Sequence, residues 1–338
     1  MIEDYLLKII EGHDLNSEEA RMIATELTQG NYSDIIRGTF LTSMYLKGYA
    51  PEEVNGFAEG LMSFSSISKH RECSDIVGTG GDHKGTINVS TAASIVCSSL
   101  GIKIGKHGNR GITGKSGGAD FMEMCGYHFP ESQERIVSEL NSNNFSFLLA
   151  PLHNPAFKKF GDVRKILRHP TIFNLMGPIT NPLRPKIKVI GCTDQKIQDI
   201  YAKSMLFSRD RGFIVTSQNG MDEISYSGRS FLISVNDTLK KIELNAEDII
   251  GRRVKDDETT GQDKEEIFRK TIGGLTGTNP GASNFIALNA APCIVANDLE
   301  YTMEDAYKLA MRAINSGLVM SKLEQITGGR IMEVFNAN

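Results

Sequence analysis

One stretch, DIVGTGGDHKGTINVSTAASI from Asp75 to Ile95, constrains the fold more than any other. Asp75-Ile76-Val77 reads as the end of a buried strand. Ser90-Thr91, followed by Ala92, Ala93, Ile95 and Val96, reads as the start of a helix. Between them stand Gly78, Gly80 and Gly81. A strand that passes into a helix through a short loop is followed by a second strand running the same way, because the helix carries the chain back. The same design recurs at once in GKHGNRGITGKSGGADFMEMCGY, Gly105 to Tyr127.

Further apolar runs alternate with helical segments: FSFLLAP, KVIGCT, IQDIYAKSMLFS, RGFIVTSQNG and EISYS. The predicted class is α/β, with a mostly parallel central sheet. The first sixty-odd residues differ. DLNSEEARMIATELTQG has Asn16 as N-cap with Glu19 three residues on, and Gly30 as a stop. SDIIRGTFLTSMYLKGY and APEEVNGFAEGLMSF repeat the helical spacing, the latter with Pro51 in its first turn. The chain is therefore expected to hold a small all-helical N-terminal domain, 1–68, and a larger α/β domain, 69–338. The Pro-punctuated segment around 160–185 reads as a hinge or insertion that completes the helical part. VKDDETTGQDKEE reads as a solvated loop leading into a helix.

The charge balance is 37 Lys+Arg against 41 Asp+Glu, net −4, with no basic run. Nothing there suggests a nucleic-acid footprint. No apolar run is long enough to span a bilayer, and MIEDYLLKIIEGHD lacks the basic start of a signal peptide. Five widely spaced cysteines without a CxxC fit reduced thiols, so a cytoplasmic protein is expected.

Glycine-rich loops between strand and helix let main-chain N–H groups close on an anion beside a helix N-terminus. Neither loop is a known nucleotide fingerprint. The first reads G-x-G-G-D, without a third glycine at dinucleotide spacing. In the second, a P-loop needs glycine five positions before Gly114, where Asn109 stands. One such loop alone is explained by turn geometry. Two in succession, with Lys106, Arg110 and Lys115, favour a ligand with more than one phosphate.

In this order and spacing, GTGGD, NVST, KHGNR and KSGGAD resemble anthranilate phosphoribosyltransferases of tryptophan biosynthesis. The resemblance continues through APLHNPAFKKFGDVRKIL, TIFNLMGPITNP, NGMDEIS and ALNAA, over nearly the whole chain. It implies transfer of phosphoribosyl from 5-phosphoribosyl 1-pyrophosphate to the anthranilate amine, with Mg2+. The implied donor site comprises Gly78, Thr79, Gly81, Asp82, Thr86, Asn88, Val89, Ser90 and Thr91 from the first unit. From the second it takes Lys106, His107, Gly108, Asn109, Arg110, Gly111, Ile112, Thr113, Gly114 and Gly118. Gly78, Asn109 and Arg164 would face anthranilate, Arg164 pairing with its carboxylate. Ser90, Asp222 and Glu223 would hold magnesium. No general base is implied, and no residue is assigned a catalytic proton.

These residue types suit those roles. Mg2+ takes carboxylate, hydroxyl and phosphate oxygens, and a guanidinium fork matches a carboxylate. An exposed acidic turn for Asp222-Glu223, a surface cation for Arg164 and a structural role for His107 are the plain alternatives. The chain departs from its relatives on the acceptor side. Asn154 stands where they carry His, with His153 one place early, and Pro170 stands before TIFN where they carry Arg. Thr113-Gly114 alters their usual Ser pair, and Asn219 stands where they often carry Asp. The resemblance also implies a homodimer through the helical domain, whose apolar candidates include Leu6, Leu7, Ile10, Leu41 and Leu46. A pyrimidine nucleoside or nucleotide phosphorylase shares the first two motifs and is the alternative enzyme. A non-catalytic nucleic-acid-binding homologue is the alternative without chemistry.

Overall fold

The computed structural model describes residues 2–111, 114–298 and 300–336. Four helices open the chain: α1 (Ile2–Ile10), α2 (Ser17–Gln29), α3 (Asp34–Lys47) and α4 (Pro51–Met62). Asn16 and Glu19 form the expected capping box of α2, each side chain bonded to the other's N–H at 2.9 Å. Gly56 and Gly60 let α4 lie directly on α2, where a Cβ would strike the carbonyls of Ser17 and Arg21. Buried Glu53 ties the module together. It accepts from the N–H of Leu15 and Ala50 and from the Lys47 ammonium.

The second part alternates: β1 (Ser74–Gly78), α5 (Val89–Ser99), β2 (Ile104–Gly108), α6 (Gly118–Met124), α7 (Gln133–Asn143) and β3 (Phe145–Leu149). Then come α8 (Ala150–His153), α9 (Gly161–Leu167), α10 (Phe173–Met176), β4 (Ile187–Gly191), α11 (Gln195–Phe207) and β5 (Arg211–Ser217). A hairpin follows, β6 (Arg229–Asn236) and β7 (Thr238–Asn245). The C-terminal helices are α12 (Ala246–Ile250), α13 (Asp256–Thr259), α14 (Lys264–Thr276), α15 (Pro280–Asn297), α16 (Met303–Asn315), α17 (Leu318–Thr327) and α18 (Arg330–Asn336).

The strands form one sheet in the order β3-β2-β1-β4-β5-β6-β7, parallel as far as β5 and antiparallel beyond. The class is the expected one. Alternate residues of each strand feed two cores. Ile76, Val189, Phe213 and Val215 pack with α5, α14, α15 and α16, whereas Val77, Ile190, Ile214 and Ile233 pack under α11 and the N-terminal helices. Phe160, Val163, Ile172, Phe173 and Met176 join that second core, so the 160–179 segment packs with α1–α4.

Two local expectations fail. EISYS, 223–227, is not a strand; its main chain is held by side chains, as described below. VKDDETTGQDKEE is not a free loop. Thr86 and Thr260 form an antiparallel bridge, Ile87 N–H donates to Thr259 O, and Gly261 N–H donates to Gly85 O. These bonds use only backbone, so the polar composition of the segment hides them.

Candidate active site

The chain leaves β1 toward β2 and later returns to β4 on the other flank of β1. That reversal opens a crevice at the carboxyl ends of β1 and β4, where open α/β sheets bind ligands. Gly78 and Gly191 sit there in register. Asp222 fills the gap between them, and its Oδ2 accepts the Gly80 N–H at 2.7 Å. A Cβ on Gly78 would collide with the Asp222 carboxylate, and one on Gly191 with the Asp222 carbonyl. Gly191 was not foreseen as a site residue. A glycine closing an otherwise β-branched run is the signal for such close approach.

The loop carrying Asp222 and Glu223 is fixed by side chains. Ser217 Oγ donates to Glu223 O at 2.5 Å, and Asn289 brackets Ile224, accepting from its N–H and donating to its carbonyl. Asp82, Asp222 and Glu223 each offer a carboxylate oxygen within 4.8 Å of the others. Burial disfavours the charged form of all three. Burial and the Asp82 charge push Asp222 up to about 6, against the Gly80 N–H. Burial, then Asp222 and Asp82, drives Glu223 well above the usual range, and burial raises Asp82. Among the described residues no Lys or Arg forms an ion pair with any of the three. Asp82 Oδ2 and Glu223 Oε2 are buried without a hydrogen-bond partner. Three clustered carboxylates, two of them with an orphaned oxygen, fit a hard divalent cation. Ser90 and Val89 line the same crevice with Gly78, Asp222 and Glu223.

Around this point the two glycine loops converge. Thr79 N–H donates to Gly191 O; Gly80 and Gly81 take positive φ, and Gly81 is exposed beside Asp82. Thr86 lies beside the Glu223 side chain and favours its charged form. Asn88 precedes α5, its N–H on Thr271 Oγ1 and its Oδ1 facing Ser116 Oγ. Thr91 Oγ1 is buried and unpartnered against Gly118, where a Cβ would fill its space. From the second loop, the Gly111 and Gly117 N–H groups converge at 2.8 Å on Asp120 Oδ2, and Lys264 meets Asp120 Oδ1 at 2.7 Å. Lys115 reaches Gly261 O at 3.0 Å. Asn109 Oδ1 accepts the Arg110 N–H, while Gly114 is exposed. The Arg110 side chain turns outward to Glu123. Ile112 and Thr113 lie outside the described residues. Lys115 and Asp120 belong to the KSGGAD stretch, but their bonds to Gly261 and Lys264 leave no local signal, because those partners are distant in sequence.

Lys106 is buried in the middle of β2, over the Phe147 ring, with Nζ on His107 O at 2.9 Å. Burial lowers its pKa against the pull of Asp75. On the opposite face, His107 Nδ1 lies 3.1 Å from Gly177 O, which only accepts, so Nδ1 carries the proton. Its Nε2 then accepts from Asn154 Nδ2 at 3.1 Å. Burial lowers the ring's pKa to about 4, leaving a neutral imidazole. Gly108 lies against Phe147, where a Cβ would meet the ring. Asn154 also donates to Thr180 O, and its Oδ1 is buried and unpartnered. Arg164, on α9, is half-buried with its guanidinium 5.1 Å from the Phe173 ring centre. It forms no ion pair among the described residues, and burial lowers its pKa.

Two family models match: the "Glycosyl transferase family, helical bundle domain" over residues 3–65, and the "Glycosyl transferase family, a/b domain" over residues 70–320. The anthranilate phosphoribosyltransferase of Picrophilus torridus is 42% identical over 94% of this chain and 97% of its own length. That of Thermoplasma acidophilum is 35% identical over 95% of this chain and 98% of its own. The crystal structure of the Thermus thermophilus enzyme superposes with a TM-score of 0.88 at 28% identity, over 96% of this chain and 98% of that one. The Saccharomyces cerevisiae enzyme, in complex with PRPP and Mg, superposes at 0.86 and 23% identity, covering 98% of both chains. With a match that runs from the helical bundle through the sheet, and with both glycine loops meeting at the switch point, the chain belongs to the anthranilate phosphoribosyltransferase family of glycosyl transferases.

Proposed function

We propose that the crevice between β1 and β4 is where this chain performs the family's reaction. That reaction transfers phosphoribosyl from 5-phosphoribosyl 1-pyrophosphate to the anthranilate amine, releasing pyrophosphate, in tryptophan biosynthesis. The carrying observation is the meeting of two glycine loops with three carboxylates that have no Lys or Arg ion-pair partner among the described residues, at one switch point. Asp82, Asp222, Glu223 and Ser90 would hold Mg2+, which when bound offsets the charge of the pyrophosphate. The N–H groups of the Gly78–Asp82 loop, the α5 N-terminus with Asn88 and Thr91, and the 106–118 loop would seat the donor. The anilino nitrogen attacks C1 as the C1–oxygen bond to pyrophosphate breaks. It then gives up a proton, and an aromatic amine is already a free base at neutral pH. Alignment and charge stabilisation are what the protein contributes, in keeping with the neutral, hydrogen-bonded His107.

On the acceptor side, Arg164 would pair with the anthranilate carboxylate, beside Asn109 and Gly78. An arginine without an acidic partner, kept half-buried over an aromatic ring, supports that assignment. Residues 1–68, completed by the segment around 160–185, would act as the helical domain and 69–338 as the donor-binding domain. Exposed Leu7, Ile10, Ile35, Leu46 and Ile166 on the helical part would meet a second copy in a homodimer. A cytoplasmic enzyme fits five free cysteines. No helix among the described residues is long and apolar enough to cross a membrane.

The test is continuous. Anthranilate fluorescence should decay only when donor and Mg2+ are both present. Unchanged fluorescence with the donor still consumed by another amine would remove anthranilate as the acceptor.

A further inference from the structure

At the amino ends of the strands, opposite the crevice, α4 and the sheet enclose a cavity of about 280 Å3. Its charged wall is Arg71, Arg184 and Lys188 with Glu59 and Asp210. Asp210 is shared: Oδ1 accepts from Arg71 at 2.7 Å and Oδ2 from Lys188 at 2.6 Å. Arg184 pairs with Glu59 at 2.5 Å. Three cations thus face two carboxylates, and two members of the set, Lys188 and Asp210, are 8% and 4% exposed. Lys188 and Asp210 balance each other, so the excess positive charge sits on Arg71 and Arg184, whose side chains are 38% and 31% exposed at the cavity wall. Donor capacity is also left over. Arg71 bonds through Nη2 alone and Arg184 through Nη1 alone among the described contacts. Arg184 moreover holds a φ of +52°, a conformation that disfavours a side chain, while its guanidinium lines the cavity. The remaining wall is apolar: Met62 and Ala58 from α4, Met205 from α11, and Ile179.

We propose that this cavity binds a small monocarboxylate with an apolar body, the carboxylate on Arg184 and Arg71 and the body against Met62 and Met205. A monoanion neutralises the excess positive charge, and the volume accommodates a body of one or two rings. Because α4 forms one wall and the bases of β4 and β5 the other, the occupant fixes the helical module against the sheet from behind the catalytic crevice. It therefore lowers turnover without competing with the phosphoribosyl donor. That kinetic consequence rests on the proposed function, whereas binding at the cavity does not.

The probe is 4-iodobenzoate, with inorganic phosphate as the anion lacking an apolar body. Crystals grown with the probe should show anomalous iodine density beside Met62 and Met205. Calorimetry should find a site that Arg184→Gly weakens by about tenfold or more, the loss of a charge-assisted pair. Glycine suits the positive φ, so that variant should melt no lower than wild type. Ser208→Phe, which fills the cavity and keeps every cation, should also abolish the site. With working enzyme, the probe should lower kcat at saturating donor in wild type and not in either variant. Iodine in the catalytic crevice alone, equal affinity in both variants, or phosphate binding as tightly as the probe would overturn the proposal. Loss of the kinetic effect with the iodine site intact would overturn the regulatory consequence. Enzyme inactive toward anthranilate that still binds iodine in the cavity would overturn the functional reading and leave the site standing.

Discussion

Lys264 reaches across from the start of α14 to place its ammonium 2.7 Å from one oxygen of Asp120, whose other oxygen gathers the N–H groups of Gly111 and Gly117. The pair thus connects the C-terminal helices to the backbone of a loop assigned to the donor. Lys264→Ala should leave Asp120 capping the loop less firmly. The expected result is a donor KM raised about two- to fivefold, in line with a partly exposed ion pair, with the anthranilate KM unchanged. Initial-rate kinetics over both substrates check this, and an equal rise in both constants would make the residue merely structural.

Asp222 gives a prediction of opposite sign with and without metal. Its folded pKa is raised from 3.8 to about 6, so between those values the folded state binds more protons than the unfolded one. Without Mg2+, stability should therefore fall as pH rises through that window, by about 2–3 kcal/mol in total. Asp222→Asn should melt higher than wild type at pH 7 in chelator, and the gap should close near pH 4. With Mg2+ and donor the order should reverse, the variant needing at least about tenfold more metal. Melting curves at several pH values and a magnesium titration supply both readouts.

Arg164 lacks an acidic partner among the described residues and lies over Phe173. Arg164→Ala should raise the anthranilate KM ten- to a hundredfold, roughly 1.5–3 kcal/mol for a charge-assisted pair. The donor KM should stay put. Arg164→Lys should recover only part of the loss, since an ammonium cannot reproduce the planar fork.

His107 makes the acid limb. Burial lowers its pKa from 6.5 to about 4, so the unfolded chain binds the extra proton in between. Stability should drop as pH falls from 6.5 toward 4, by about 2–3 kcal/mol. His107→Gln should flatten that limb in urea titrations, and an unchanged slope would assign the acid loss to other groups.

The helical module leaves Ile35 and Leu46 each 78% exposed, and Ile166 74% exposed. Light scattering should return a dimer mass, and Ile35→Glu with Leu46→Glu should give a monomer that keeps its melting temperature within a few degrees. A wild-type monomer at working concentration would remove the dimer.

What could be read from residues alone follows from which physical signals are local. The α2 capping box, Pro51 in α4, and the loops after β1 and β2 each announce themselves within a few residues. The hairpin Arg229–Asn245 was missed because β7 is an edge strand whose run TLKKIE is largely exposed, so little apolar alternation marks it. Asn289 and Gly191 serve Asp222 and Glu223 only through contacts distant in sequence. The strap at 259–261 acts through carbonyl and N–H groups that every residue shares, which is why a polar loop was expected. Asn154 was legible as a departure, but not its bond to the His107 ring.

The shared core beneath α11 sets an order of events during synthesis. Helices α1–α4 leave the ribosome first, yet Phe160, Phe173 and Met176, which pack into the same core, are made on the order of a hundred residues later. At about 5–20 residues per second, the nascent module waits several seconds with apolar surface bare. The strand residues Ile190, Ile214 and Ile233 arrive later still. A ribosome-bound chain stopped near residue 150 should thus bind chaperones that hold exposed apolar segments better than the chain released at full length.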